Sequence, residues 1–388
     1  MTIKNILKSS VFLIALTLFV SCNEEAKVPA DSFTVSGTIK GLDTKYMFRS
    51  VTDSSGKRST DSIFVENGKF SYTAKINKAE HIIFWPNVER TIKRTERGYY
   101  PAKSSQFAFL AKPGDNIVFN GDVSDFINSY PSGTKGNDDL AKINSKVFPL
   151  MNASVNYLLK KNQLEKGDPW IKIVTDSITK LDKEVVRLKT EFVQNNPTSE
   201  AAVWYLSDMM VRSQISNEDA VTAFNKFDKN LKDFTYYKEL ASRIKGIEST
   251  LIGKTVPDFT SNKTIDGKDF TFSSLQGKYV LIDFWGVWCG PCVAEMPTVK
   301  KYADKYSDKL TILGINSGDT KEKMVNFLKK NDYNWQQIMS GKDTDNLVLK
   351  FNVAGFPTKF IIDPEGKIIQ RYLGSGEKAF NKLDELLK

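Results

Sequence analysis

The chain has 388 residues, of which 40% are apolar and 12% aromatic, enough for two or three packed domains and too apolar for a disordered polymer. Its formal charge of +9 comes from 55 basic against 46 acidic residues, and no arginine-rich stripe gathers them. The excess reads as solvated lysine, which excludes a nucleic-acid-binding surface as the basis of function.

The first segment, MTIKNILKSSVFLIALTLFVSC, places Lys4 and Lys8 before an apolar run from Val11 to Val20 and ends on Ser21-Cys22. That is the layout of an export signal over residues 1–21, too short to span a bilayer. It resembles a bacterial lipoprotein signal, although Phe19 stands where leucine is usual. The resemblance implies that Cys22 becomes an acylated N-terminus and that the protein is exported and lipid-anchored to the cell envelope, facing the periplasm or in the outer membrane. The alternative is a cleaved secretory signal with an incidental cysteine. Residues 22–31 are polar and aperiodic, as expected of a tether.

Residues 32–125 carry strand signals. FTVSGTIKG, DSIFVENGKFSYTAKI and FAFLAKPGDNIVFNGD alternate apolar and polar residues between turn dipeptides, a pattern that predicts an antiparallel β-sandwich-like domain. Asn67-Gly68 marks the tip of a hairpin. His81, the single histidine of the chain, is expected at the surface or in a turn of this domain.

Residues 126–250 form a helical region. Asp168 precedes Pro169 as a cap, and Ile171, Val174, Ile178, Leu181, Val185, Leu188 and Phe192 follow at alternating steps of three and four, so that a helix over 169–193 presents one narrow apolar seam. Its expected partner is the segment EAAVWYLSDMMV, and self-association through the seam is the alternative.

From Leu251 to Lys388, strands and helices alternate. KYVLIDFWG reads as a strand covered on both faces, a helix follows over about 290–306, then LTILGIN, the helix TKEKMVNFLKKN, a strand pair in TKFIIDPEGKIIQRYL and a closing helix. This predicts an α/β layer domain.

The chemistry lies in WCGPC, with Cys289 and Cys292. As zinc ligands the two would need further Cys or His, and His81 alone is far away in sequence, so no metal or other cofactor is expected. As a static disulfide they would close a very small ring and add little stability. A redox pair fits the placement best. Cys289 opens a helix, where free backbone N–H groups and the helix dipole favour thiolate, and Cys292 returns to the same face three residues later. Pro291 in the first turn forfeits no helical hydrogen bond. Cys289 is expected to be exposed beside Trp288, with its thiol pKa drawn down, and Cys292 to lie a turn deeper and titrate later.

WCGPC, with VLIDFWG before it and GFPT after it, resembles the thioredoxin superfamily. The stretch GKTVPDFTSNKTIDGKDFTFSSLQGKYVLIDFW is similar to the exported TlpA/ResA-type thiol-disulfide oxidoreductases. The resemblance covers about residues 253–388 and implies a thioredoxin-like fold. More weakly, residues 32–135 resemble the small β domain of undefined role that often precedes such modules in lipoproteins.

By this resemblance Cys289 is the attacking cysteine and Cys292 the resolving one, and Asp283 is the buried acid that takes the second proton. Glu295 matches the acid of a Cys-x-x-Cys-x-x-Glu variant. Phe356-Pro357 is the cis-proline peptide which, with Trp288, Gly290 and Pro291, meets the substrate, and Pro297 matches the proline that kinks the helix. Trp285 is expected to pack or to shield the sulfur. The implied activity is reduction of disulfide-bonded envelope proteins, since the Gly-Pro dipeptide is that of thioredoxin, with a potential near about −270 mV. An oxidising compartment then requires an electron donor, a membrane thiol reductase. Two other functions compete. A thioredoxin-fold peroxidase needs threonine where Gly286 stands, and a binding or assembly lipoprotein would use residues 32–250 as its main part.

Overall fold

The computed structural model describes residues 28–388 apart from 53–56, 97, 101 and 342–344. Residues 1–21 and Cys22 lie outside the described residues.

The N-terminal part is built on ten strands: β1 (Ser32–Lys40), β2 (Tyr46–Thr52), β3 (Arg58–Glu66), β4 (Lys69–Lys75), β5 (Glu80–Phe84), β6 (Lys93–Thr95), β7 (Gly98–Tyr100), β8 (Phe107–Ala111), β9 (Asn116–Val123) and β10 (Ile127–Ser132). Six of them form a curled sheet in the order β10-β9-β1-β4-β3-β2, and β5 pairs with β8 separately. The β3–β4 turn is the expected tight hairpin, with Asn67 and Gly68 both at positive φ (51° and 74°), the conformation that suits Asn-Gly. The sheet is not wholly antiparallel, because β1 and β9 pair in parallel from Thr34↔Asn116 to Lys40↔Asp122. β10 belongs to this sheet although it lies past residue 125, and α-helices begin only at Lys135.

FAFLA, read from sequence as alternating, is buried at every position. Phe107 and Phe109 face the core of the sheet with Phe33, Phe84 and Phe119, whereas Ala108 and Leu110 face a second core made by the helices. The helices are α1 (Lys135–Asn162), α2 (Trp170–Asn195), α3 (Glu200–Val211), α4 (Asn217–Phe224) and α5 (Thr235–Ser249). Asn137 stitches α1 to β8, its side chain accepting from Leu110 N at 2.9 Å and donating to Leu110 O at 2.7 Å.

Asp168 accepts from Trp170 N at 2.8 Å and so starts α2 as expected. The seam of α2 runs mainly along α1, with α3 a lesser neighbour. α1 spans 28 residues and lies antiparallel to α2 across a short connection, so it can follow the seam for its whole length, which the 12-residue α3 cannot. Val174 and Val185 are buried, whereas Ile171, Ile178, Leu181, Leu188 and Phe192 are only partly covered.

The C-terminal part contains the short pair β11 (Thr260–Ser261) and β12 (Phe270–Thr271), then β13 (Tyr279–Trp285), α6 (Gly290–Lys305), β14 (Leu310–Asn316), α7 (Lys321–Lys330), β15 (Gln336–Met339), α8 (Leu347–Lys350), β16 (Thr358–Ile362), β17 (Ile368–Leu373) and α9 (Lys378–Leu387). Its five-stranded sheet has the order β15-β14-β13-β16-β17. β13, β14 and β15 are parallel, β16 runs antiparallel to β13, and β17 runs antiparallel to β16. This is a thioredoxin-like fold. β13 is almost wholly apolar, with Asp283 the exception, because both its faces are covered. Val280, Ile282 and Phe284 enter one core with Phe351 of the loop after α8, and Leu281 and Trp285 enter the other beneath α6 and α9.

The helical region docks on this domain through α5. A Cβ on Gly246 would lie 2.6 Å from the carbonyls of Leu349 and Lys350, so only glycine lets α5 approach α8 this closely. Next to it, buried Arg243 reaches Asn352 Oδ1 (3.4 Å) and Val353 O (3.3 Å).

Candidate active site

The site forms where β13 ends and α6 begins. Cys289 is the N-cap of α6 and its sulfur accepts from Cys292 N at 3.2 Å, so a thiolate at this position would face a backbone N–H. Cys289 and Cys292 are joined in a disulfide with an S–S distance of 2.02 Å. Gly290 and Pro291 form the first turn between them. Cys289 is less open than its place at a helix mouth suggests, at 5% exposure against 2% for Cys292. The reason is packing: Val287 and Phe356 lie on the cluster that contains both sulfurs.

Exposure at the site belongs instead to Trp288, which is 53% exposed and meets Phe356 edge-on at 5.2 Å between ring centres. The Phe356–Pro357 bond is cis. Trp285 is fully buried and donates to Gln337 Oε1 at 2.9 Å, which makes it a core residue of the sheet. Pro297 lies inside α6.

The turn that carries Trp288 and Cys289 is held from β14's end. Trp288 Nε1 donates to Ser317 O at 2.8 Å, and Val287 N donates to Asp319 Oδ2 at 2.6 Å. Gly286 sits under this arrangement, and a Cβ there would come within 2.3 Å of Trp288 Nε1. No larger residue fits while the indole keeps its place. Asp319 is a site residue that sequence reasoning passed over, because a turn aspartate carries no local mark of its partner.

Asp283 and Glu295 are brought together by a third residue, Lys359. Asp283 shares a face of β13 with Leu281 and Trp285, the face beneath α6. Lys359 of β16 stands directly opposite it in register. Its ammonium lies 3.1 Å from Asp283 Oδ1 and 2.6 Å from Glu295 Oε2, with the three side chains 2%, 4% and 13% exposed in the order Lys359, Asp283, Glu295. Glu295 Oε1 accepts from Gly376 N at 2.6 Å. Glu295 is therefore a paired, largely buried acid and not a solvated one.

One ammonium thus serves two carboxylates. Burial pushes the Asp283 carboxyl above its ordinary value, the nearby Glu295 charge pushes the same way, and Lys359 offsets this only in part. The Lys359 ammonium is opposed by burial but held above its ordinary value by the two acids. Asp283 Oδ1 faces the Lys359 ammonium, which Glu295 shares, so the Asp283 charge is only partly compensated. Lys359 was missed in the sequence, although a lone lysine in the apolar strand Thr358–Ile362 was a signal of a buried partner.

His81 is not at the surface in a turn. It lies in β5, stacks on Trp204 with ring centres 4.0 Å apart, and its pKa is lowered to about 3, first by burial.

Residues 251–387 match the Redoxin family, and residues 33–140 match a domain of unknown function, DUF4369. The chain is 33% identical over 157 residues to the thiol-disulfide oxidoreductase ResA of Bacillus cereus, a match covering 40% of this chain and 86% of that protein. The chain belongs to the ResA-type thiol-disulfide oxidoreductases of the thioredoxin superfamily. ResA of Bacillus subtilis is 36% identical over 132 residues, covering 34% of this chain and 72% of ResA. Among solved structures, the thioredoxin domain of a thiol-disulfide oxidoreductase from Bacteroides vulgatus is 27% identical, covers 36% of this chain and 99% of its own, and has a TM-score of 0.33. The ResA-type part is the C-terminal domain with Cys289 and Cys292, so this protein is a thiol-disulfide oxidoreductase.

Proposed function

We propose that this ResA-type enzyme works as a reductant of protein disulfides in the cell envelope. Cys289 thiolate attacks one sulfur of a substrate disulfide, a mixed disulfide forms and the first substrate thiolate leaves. Cys292 then gives its proton to Asp283 and attacks Cys289 Sγ, which releases the second substrate thiolate and closes the Cys289–Cys292 disulfide. Two electrons pass from the enzyme dithiol to the substrate, and a thiol reductase at the membrane returns them. Lys359 and Glu295 set the affinity of Asp283 for its proton. Trp288, Gly290, Pro291, Phe356 and Pro357 form the face that the substrate meets.

The observation that supports this reading is the buried, incompletely neutralised Asp283, which shares a face of β13 with Leu281 and Trp285 of the cluster that contains both cysteines. The packing of Gly286 under Trp288 speaks against the peroxidase reading, since threonine has no room there. Insulin reduction with dithiothreitol tests the activity. Turbidity should rise with the wild-type protein and stay at the uncatalysed rate with Cys289→Ser; equal rates would end the proposal.

The location follows from the N-terminal segment. Cys22 is the acylated residue that tethers the enzyme, and mass spectrometry of the mature protein should find acyl chains on it. An unmodified N-terminus or a free Cys22 thiol would refute the anchor.

A further inference from the structure

We propose that the cleft between β5, α2 and α3, on the N-terminal side of the molecule, is a binding site for one small monovalent anion, a halide or a carboxylate. Lys103, Lys189 and Arg212 converge there with a single carboxylate, Asp208. Both oxygens of Asp208 are already engaged, Oδ1 by Arg212 Nε at 2.8 Å and Oδ2 by Lys189 Nζ at 3.2 Å. Lys189 is only 3% exposed. Among the described residues Lys103 has no hydrogen-bond or ion-pair partner, although it too is drawn into the cleft. His81 adds no further positive charge, since burial keeps its ring neutral.

Three cations against one anion in a partly dehydrated space repel each other, and the repulsion grows as water is excluded. Burial and the neighbouring Arg212 and Lys189 both act to weaken the Lys103 ammonium, with only Asp208 opposing them. Such a cluster is relieved by a negative charge from outside. The donors for one are in place: the Lys103 ammonium, and the N–H groups of Arg212 beyond the Nε that Asp208 takes.

Size selects the class of ligand. The cavity measures about 20 Å³, room for a body of about the size of one water. The His81–Trp204 stack and Phe148 form part of its wall. A halide or the head of a carboxylate fits, whereas a phosphate ester or a nucleotide does not. Because His81 comes from the β domain and Lys189, Asp208 and Arg212 from the helices, an anion here would also fasten the two together.

The test is thermal unfolding of the full chain at constant pH and ionic strength, with sodium gluconate, too bulky to enter, replaced stepwise by sodium chloride, sodium formate or sodium phosphate. Chloride or formate should raise the midpoint by roughly 2 °C or more and then saturate, while phosphate leaves it unchanged. A response to formate greater than to chloride assigns the site to a carboxylate, and the reverse assigns it to a halide. Lys103→Met should unfold at a higher temperature than wild type in gluconate and lose the anion response. Should that variant not fold, ³⁵Cl NMR of the native protein replaces it, where chloride line broadening should appear and be displaced by formate. Equal responses to all four salts, an undiminished response in Lys103→Met, or no displaceable broadening would overturn the site.

Discussion

Replacing Lys359 by methionine removes the single cation between two acids and keeps most of the side-chain volume. At 3.1 Å from Asp283, a charge pair interacts by about 5 kcal/mol at an effective dielectric of 20. Measured losses on breaking buried pairs are about 3–5 kcal/mol. Part of the loss is recoverable, because Asp283 can take a proton instead of staying charged. Its folded-state value is already raised, and the substitution raises it further. For a carboxyl raised on folding, the contribution to stability is complete below the unfolded value of about 3.9 and is lost as pH climbs through the folded one. The deficit of Lys359→Met should therefore be about 3 kcal/mol at pH 8, a fall of roughly 12 °C in midpoint for a domain of this size. It should shrink on acidification by as much as about 1.4 kcal/mol per pH unit. Urea unfolding of the oxidised protein at a series of pH values, followed by tryptophan fluorescence, measures it. Adding Asp283→Asn to the same chain should recover most of the loss at pH 8. A deficit below about 1 kcal/mol at pH 8, or one independent of pH, would refute the claim that Lys359 neutralises buried carboxylates.

Cys292→Ser should accumulate mixed disulfides through Cys289 in envelope extracts and Cys289→Ser should not; equal trapping by both variants would reverse or cancel the two roles. Asp283→Asn should leave the first attack by Cys289 nearly unchanged and slow resolution by about 10²-fold, seen as a long-lived mixed disulfide in rapid-quench experiments. In the wild type, resolution should speed up as pH rises through the raised Asp283 value and the variant should lack that limb, because only the carboxylate accepts a proton. Arg243 from the helical region, with Arg371 Nη2 donating to Asn352 O at 2.7 Å, pins the loop that runs on to Phe356 and Pro357. Arg243→Met should raise KM for a protein disulfide several-fold with little change in reactivity toward a small disulfide, and equal effects on both would place Arg243 outside substrate positioning.

The sequence by itself determined what depends on neighbours along the chain. Asn67-Gly68 specified its hairpin through the left-handed φ both residues accept, Asp168 specified the start of α2, and a buried strand running into Cys-Gly-Pro-Cys placed a thiol at a helix mouth. Tertiary structure decided what depends on pairing between distant segments. Nothing in FAFLA tells that β8 lies between two cores, and nothing in the spacing of the α2 seam names α1 as its main partner, because an apolar face specifies that it must be covered and not by what. The parallel pairing of β1 with β9 and the stacking of His81 on Trp204 have the same origin. The site shows the division most clearly. Asp283 and Glu295 were legible as acids near the cysteines, but their chemistry is set by Lys359, which stands 64 residues beyond Glu295 and meets Asp283 only through the register of β16 against β13. A charge in a buried strand is tolerable only beside its counter-charge, and which counter-charge it finds is fixed when the sheet closes.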